Sequence, residues 1–202
     1  MEDIVSRRLI RLALIAAVLA SCALPNGLSG SGTPATRTFA LEGFTSIKAC
    51  CGMQVILSGG DDFAVAVTSD KNVLPAIQTT VVGDTPHLGG DTAQGRSFAT
   101  TTLEVRVTMP VFEALTLSGG AQLGLGDTAP QAVDVRLEAS GGSQANLLGM
   151  PAQHTQVTLS GGAHLDHTGA PSIGRAVSSG GASVSRHSPA CRPEERGVLH
   201  AN

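Results

Sequence analysis

The stretch Leu117-Ser118-Gly119-Gly120-Ala121-Gln122-Leu123 decides the fold, because the chain repeats it with small changes. Ser-Gly-Gly recurs at spacings of 22, 20 and 19 residues, and the residues beside it recur as well. The other copies are Ala139-Ser-Gly-Gly-Ser143-Gln144-Ala145, Leu159-Ser-Gly-Gly-Ala163-His164-Leu165 and Ser178-Ser-Gly-Gly-Ala182-Ser183-Val184. A period of about 20 residues is typical of stacked solenoid coils.

Apolar and polar residues alternate before the Ser-Gly-Gly copies, most clearly over residues 133–140, where Val133, Val135, Leu137 and Ala139 are apolar. A period of two indicates a half-buried strand. One coil cannot bury its inner face alone, so neighbouring coils should stack in parallel about 4.8 Å apart. The chain has 25 glycines, five phenylalanines and neither Trp nor Tyr. We therefore predict an all-β solenoid with an aliphatic core and coils of about 20 residues.

Each Ser-Gly-Gly is predicted to form a corner between two strands. Paired glycines adopt backbone conformations that other residues resist, and they let neighbouring coils approach closely. The serine hydroxyls are expected to bond to backbone groups at the corner. A catalytic serine needs one base and one orienting acid, so a serine repeated in every coil is interpreted as structural. The corner residues are Ser118, Gly119, Gly120, Ser140, Gly141, Gly142, Ser160, Gly161, Gly162, Ser179, Gly180 and Gly181.

A fainter copy lies near the start of the domain, where residues 44–55 match residues 112–123. This match places Cys50 and Cys51 in the columns of Ser118 and Gly119. Residues 57–62 repeat the Ser-Gly-Gly letters but are predicted to form a turn between strands at 53–57 and 63–67. Residues 70–77, with Pro75, predict a short helical turn. Residues 89–97 are expected to form a loop before a strand at 103–109.

The N-terminus has the layout of a secretory signal, with Arg7, Arg8 and Arg11 before an apolar run at 12–20. Such a run is shorter than the roughly 20 residues that a permanent transmembrane helix needs. Leu19-Ala20-Ser21-Cys22 resembles the bacterial lipobox, in which the cysteine is acylated and the chain is cut before it. We expect a signal peptide at 1–21 and lipidation, with palmitate among the acyl chains, at Cys22. Ala23 replaces the Asp of inner-membrane retention signals, which favours the outer membrane.

Composition divides the rest of the chain into three parts. Residues 22–39 are rich in Gly, Ser and Pro and predict a lipidated, flexible tether that reaches about 20 Å. Residues 40–185 form the predicted domain, and residues 186–202 a loose polar tail. Removal of residues 1–21 takes away three arginines, one Glu and one Asp, leaving 10 basic and 14 acidic residues. This net charge of −4 excludes a basic surface for nucleic acid.

Residues 44–55, residues 70–77 and the closing Ser-Gly-Gly coils together resemble the putative auto-transporter adhesin family, also called the head GIN domain. The resemblance covers about residues 40–185. It implies a right-handed parallel β-helix in a secreted or lipid-anchored envelope protein. Members more often have Ser-Gly-Ala or Ser-Gly-Gly where this chain has Cys50-Cys51-Gly52. The adhesin label of the family is an inference from architecture, so it implies a binding role without naming a ligand.

Catalytic, metal and cofactor sites are not predicted. On a strand, His164 and Asp166 share one face and His167 points to the other, so both histidines are interpreted as solvated surface residues. Parallel β-helices also include carbohydrate-active enzymes, the least favoured class here. Their sites need clustered carboxylates and often aromatic platforms, whereas Asp134, Glu138 and Asp166 share no column and Trp and Tyr are absent. No glycine-rich nucleotide motif precedes a helix.

Three thiols remain besides Cys22, namely Cys50, Cys51 and Cys191. An export compartment permits disulfides, and an odd count leaves one thiol over. Cys50 and Cys51 are not expected to pair, because adjacent residues close a strained ring. Pairing of either residue with Cys191 is disfavoured by the length of a stack whose coils follow chain order.

The sequence favours a membrane-tethered, non-catalytic binding or adhesion module of the cell envelope. The alternative is a structural or sensory component that contacts another envelope protein. Because side chains alternate between the two faces of a strand, one polar residue in each of four successive coils should point outward. Together these four residues would form a polar ladder about 15 Å long, and Gln54 is the equivalent residue in the first coil. The side chains of the ladder either form hydrogen bonds with one another along the stack, which is a structural role, or bind an envelope or extracellular protein or polysaccharide. Its members are Gln122, Gln144, His164 and Ser183.

Overall fold

Alternating burial produces strands along almost the whole described chain. The computed structural model describes residues 27–90, 97–99, 102–168 and 172–187. These residues form 17 strands and one 3-10 helix at Leu74–Ala76, so the predicted all-β class is confirmed. In this part of the chain, no helix has the length and hydropathy needed to cross a membrane.

The strands are short and follow one another closely. In chain order they are β1 (Gly27–Ser29), β2 (Pro34–Phe39), β3 (Ser46–Ala49), β4 (Gln54–Gly59), β5 (Ala64–Asp70), β6 (Ile77–Val82), β7 (Thr85–Gly90), β8 (Ser97–Ala99), β9 (Leu103–Met109), β10 (Ala114–Leu117), β11 (Gln122–Leu125), β12 (Asp134–Ala139), β13 (Gln144–Leu147), β14 (His154–Leu159), β15 (His164–Thr168), β16 (Ser172–Ser178) and β17 (Ser183–His187). The seven-stranded sheet has the order β16-β14-β12-β10-β3-β7-β6, and the eight-stranded sheet has the order β17-β15-β13-β11-β4-β9-β5-β2. A third sheet pairs β1 with β8.

Five coils, each made of one strand from each large sheet, stack through parallel pairing. They are β3–β4, β10–β11, β12–β13, β14–β15 and β16–β17. Leu115 pairs with Ile47 of the first coil on one side and with Leu137 of the third coil on the other. The predicted match between residues 44–55 and residues 112–123 is therefore confirmed, because their strands are direct neighbours. The first and second coils are neighbours in the stack but are not consecutive in the chain, since β5 to β9 lie between them in sequence.

The strands between the first two coils extend both sheets beyond the first coil. In the eight-stranded sheet, β9 pairs in parallel with β4, whereas β5 runs antiparallel to both β9 and β2. In the seven-stranded sheet, β7 pairs in parallel with β3 and antiparallel with β6. Both large sheets are thus mixed. The helical turn around Pro75 and the strand at Leu103–Met109 are confirmed. A turn follows β4, but it is shorter than the predicted 57–62, because residues 57–59 belong to the strand. The ends of the predicted loop at 89–97 lie in β7 and β8.

The core lies between the two large sheets and is aliphatic, as predicted. Strands β12 and β14 both show strict alternation of exposed and buried residues. Phe44 and Phe112, which occupy one column of the repeat, are 1% and 0% exposed. Val133 departs from the alternation: it lies just before β12, and it is 56% exposed.

The Ser-Gly-Gly corners are turns in which all eight glycines have positive φ, between 57° and 82°. Each corner bonds to its neighbour, as when Ser140 N–H donates to Leu117 O at 3.0 Å. The hydroxyl that bonds the corner backbone is that of Ser143, rather than that of Ser140. The Ser143 hydroxyl is fully buried, accepts from Ser140 N–H at 3.2 Å and donates to Ser140 O. This inward position brings the hydroxyl within reach of the backbone of its own turn.

The first coil has a disulfide at the same corner, between Cys50 and Cys51. The expectation that these adjacent residues do not pair is wrong in this structure. In a strand their side chains would point to opposite faces. Cys51 instead has a left-handed φ of 67°, close to the 57° to 65° of the first glycine at the other corners, so the pair lies in a turn.

Part of the segment expected to form a flexible tether consists of strands that pair with other strands. Strand β1 pairs with β8, and β2 pairs antiparallel with β5. Ala35 and Phe39 pack against the core, which explains why this stretch of linker-like composition forms a strand. The expected signal peptide at 1–21, lipidation at Cys22, the thiol of Cys191 and residues 188–202 of the expected tail lie outside the described residues.

Candidate functional site

A row of polar side chains crosses the outer surface of the eight-stranded sheet. The residue before each of the first four, such as Ala121, Ser143 or Ala163, is fully buried, and Ala182 before the last is half-buried. Since successive residues of a strand point to opposite faces, the next side chain points outward. The row, here called the polar row, consists of Gln54, Gln122, Gln144, His164 and Ser183, which pair in register from strand to strand. Five adjacent strands give it a length of about 19 Å.

The side chains of the polar row are accessible. Gln54, Gln122, Gln144 and Ser183 are exposed, and His164 is half-buried. His164 Nδ1 and Ser183 Oγ share a hydrogen bond of 2.7 Å. Among the residues that the structure describes, no hydrogen bond joins the glutamine amides of the row to one another. The amide groups are therefore available to a partner, each with donors and an acceptor.

Charged groups lie at both ends of the polar row. At one end Gln54 pairs in register with Glu104, whose Oε1 is 2.7 Å from Arg106 Nε. At the other end His164 Nε2 is 3.3 Å from Asp166 Oδ1, and His187 Nδ1 is 4.0 Å from the same oxygen. His167 is buried, with 6% exposure, so the interpretation of both histidines as surface residues is wrong for His167. Strand alternation turns it inward between Asp166 and Thr168. In the described part of the chain, no three His, Cys, Asp or Glu side chains form a group suited to a metal ion.

The sequence did not reveal a groove of about 750 Å³ on the seven-stranded sheet. Two exposed valines, Val111 and Val133, line it together with Glu113, Arg136 and His154. The connectors before β10 and β12 form its wall, where residue 111 bridges to residue 131. These connectors have no period of two, so strand patterning offered no signal. The alternation over residues 133–140 predicts a buried Val133, whereas this side chain is exposed and lines the groove.

The charged side chains of this groove contact polar and charged neighbours. Glu113 Oε2 accepts a hydrogen bond of 2.8 Å from the Thr45 hydroxyl. His154 Nδ1 lies 3.0 Å from Asp134 Oδ1, and both side chains are more than half exposed.

The family model described as "Putative auto-transporter adhesin, head GIN domain" matches residues 43–188. The chain belongs to this family. Membership confirms the resemblance seen in the repeat, places the chain among putative adhesins and favours a location in the cell envelope or at the cell surface. It also favours a binding role over an enzymatic one.

Solved structures of similar fold include putative adhesins from Parabacteroides and Bacteroides species. A putative adhesin from Parabacteroides distasonis ATCC 8503 has a TM-score of 0.63 and 18% identity, over 70% of this chain and 59% of its own. One from Parabacteroides merdae ATCC 43184 has a TM-score of 0.59 and 15% identity, over 70% and 60%. One from Bacteroides fragilis NCTC 9343 has a TM-score of 0.54 and 11% identity, over 81% and 100%.

These likenesses concern the fold, because the identities are low. The chain spans about three fifths of the length of the two Parabacteroides proteins. A search of curated proteins found no match. These structures therefore identify no functional residues in this head GIN domain.

Proposed function

We propose that this head GIN domain is a membrane-tethered, non-catalytic binding or adhesion module of the cell envelope, lipidated at Cys22. The lipobox-like Leu19-Ala20-Ser21-Cys22 supports the tether, and the family supports the binding role. We also propose that the five coils form the right-handed parallel β-helix that the family resemblance implies. The parallel pairing of all five coils in both large sheets supports this architecture.

The polar row is the proposed binding surface, and one observation carries this choice. The glutamine amides are exposed and in register, and they do not bond to one another. Amides that stabilised the stack would bond along it. Amides free of such bonds offer regularly spaced donors and acceptors to an extended partner, either a polypeptide or a polysaccharide.

The glutamine part of the row is uncharged, which gives the proposed contact a property that can be measured. Hydrogen bonds between neutral groups depend little on ionic strength, whereas exposed charges are screened by salt. Binding through the row should therefore persist in high salt. Binding through the groove, which is lined by Glu113, Asp134, Arg136 and His154, should weaken as salt is added.

The test combines Gln122→Ala, Gln144→Ala and His164→Ala. The matched control combines Thr116→Ala, Glu138→Ala and Thr158→Ala, an in-register row on the outer surface of the other sheet. Binding of the purified domain to intact cells and to envelope polysaccharide should fall at least about tenfold for the row variant, since three hydrogen-bonding groups are lost. The melting temperature and the binding of the control should stay close to those of the wild type.

The outcome separates the alternatives. A lower melting temperature for the row variant would assign the polar row to stability. If both variants bind as well as the wild type, the polar row is not the binding surface, and the groove becomes the favoured one. Protease accessibility on intact cells determines on which side of the membrane the domain lies. A domain that is cut only after the envelope has been opened would favour the structural or sensory role.

A further inference from the structure

The corner of the first coil differs from the other four corners in its chemistry. At the other corners a glycine occupies the first left-handed position, with φ between 57° and 65°. At the first corner Cys51 occupies it with φ 67°, as the one described residue other than glycine with positive φ. A residue with a β-carbon resists this conformation. The disulfide to Cys50 is the covalent feature that distinguishes this corner.

The corner lies between two neighbours and is bonded to both. Cys50 N–H donates to Leu88 O of β7 at 3.3 Å, and Gly52 N–H donates to Gly119 O of the second coil at 3.0 Å. A β-carbon at Gly89 would lie 3.1 Å from Cys50 Sγ, so the sulfur fills the space that this glycine leaves. The conformation at Cys51 is therefore coupled to β7 on one side and to the next corner on the other.

Both cysteines are half-buried rather than enclosed. A thiolate of small size can therefore reach the sulfur atoms, and accessible disulfides are those that exchange. This exchange rests on the proposed location in the cell envelope, where dithiols and disulfides of other proteins can serve as the exchange partner.

We propose that Cys50 and Cys51 form a reversible redox site, which exchanges with dithiol reductants and controls the conformation of the first corner. A thiolate of the dithiol attacks one sulfur, which forms a mixed disulfide and releases the other cysteine as a thiol. The second thiol of the reductant then attacks the mixed disulfide. Two electrons and two protons pass to the cysteine pair, and the reductant leaves as its own disulfide.

Reduction removes the covalent ring and leaves Cys51 held in the left-handed conformation by packing alone. The hydrogen bonds of Cys50 and Gly52 to their neighbours should then open more often. This role is independent of the polar row, because it concerns the corner and not the outer face of the strands.

Alkylation followed by peptide mass mapping of the full mature chain tests the redox site. The tryptic peptide of residues 49–71 should take up no iodoacetamide before treatment, two alkyl groups after dithiothreitol, and none after reoxidation. Alkylation before reduction, or a cross-link from either cysteine to Cys191, would overturn the proposal. A Cys191→Ser variant should give the same pattern.

Hydrogen exchange tests the coupling to the corner. On reduction, exchange at the Gly52 amide should rise about tenfold, the factor that corresponds to the cost of a left-handed non-glycine residue. The variant Cys50→Ser/Cys51→Gly copies the Ser-Gly-Gly of the other corners, so its exchange should not respond to dithiothreitol. Unchanged exchange in the reduced wild type, or an equal response in the variant, would show that the disulfide does not control the corner.

Discussion

The two glycines of each corner are required for different reasons. A β-carbon on the first glycine would meet the backbone of the preceding coil: at Gly141 it would lie 3.1 Å from Gly119 N, and at Gly180 it would lie 3.2 Å from Gly161 N. The second glycine, such as Gly142 with φ 76°, has open space around the missing β-carbon. It is needed for its backbone conformation alone.

Valine at the first glycine of an interior corner should be strongly destabilising. Gly141→Val combines a left-handed β-branched residue with a backbone clash, and we expect a loss of about 2–3 kcal/mol of unfolding free energy. Gly180→Val meets the same clash but lies in the last described coil, which can shift away from a single neighbour, so its loss should be smaller. Urea unfolding of both variants measures the difference.

Gly124→Ala is the matched control for these two variants. Gly124 does not have a positive φ, and its β-carbon would meet nothing within 4 Å. The unfolding free energy of the Gly124→Ala variant should stay within about 0.5 kcal/mol of that of the wild type. Equal losses in Gly141→Val and Gly180→Val would contradict the explanation by stacking.

At the scale of elements, one side chain holds the first strand region to the domain. Asn72 Nδ2 donates to Ser29 O at 2.8 Å, and Asn72 Oδ1 accepts from Ser31 N–H at 2.9 Å. Lys71 N–H donates to Thr33 O nearby, at 2.8 Å. The turn after β5 thereby fixes the segment between β1 and β2, which its Gly-Ser composition alone would leave flexible.

Asn72→Ala should release this segment without unfolding the domain. It removes two hydrogen bonds that are each worth about 1 kcal/mol at most in an exposed site, so the segment should open locally. Limited proteolysis should cut the variant within residues 27–33 much faster than the wild type, with an unchanged melting temperature. Asn146→Ala, which loses a local bond to Leu148 N–H, should leave the cleavage unchanged. Equal cleavage of all three proteins would count against the role of Asn72.

At the scale of the whole molecule, the two flanks offer different chemistry on one stack. The eight-stranded sheet presents the mostly neutral polar row, and the seven-stranded sheet presents a charged groove with two exposed valines. The proposed lipid anchor precedes the described residues by only a few positions. Because β1 and β2 are strands of the described structure, residues 27–39 cannot contribute to a flexible tether of about 20 Å.

Anchoring by one cysteine has a direct test. Cys22→Ser should move the protein from the membrane fraction to the soluble or uncleaved pool, because the acyl chains supply the membrane affinity. Cys191→Ser is the control and should stay with the membrane. A processed Cys22→Ser protein that still sediments with membranes would refute lipidation at this residue.

Local patterns in the sequence determined the strands, the corners and the family. Alternation with a period of two defines which side chains are buried, and the need for positive φ selects paired glycines; both act within a few residues. The outward direction of Gln122, Gln144 and His164 followed from the same alternation. These features could be predicted because they depend little on distant parts of the chain.

The tertiary structure decided what distant segments do to one another. It placed the first coil beside the second across an insertion, turned a linker-like stretch into β2, buried His167 and joined Cys50 to Cys51 at a corner. It also built the groove from two connectors that no periodicity marks. Each outcome depends on which backbone edges and side chains meet after folding, and that is set by packing and register between segments far apart in sequence.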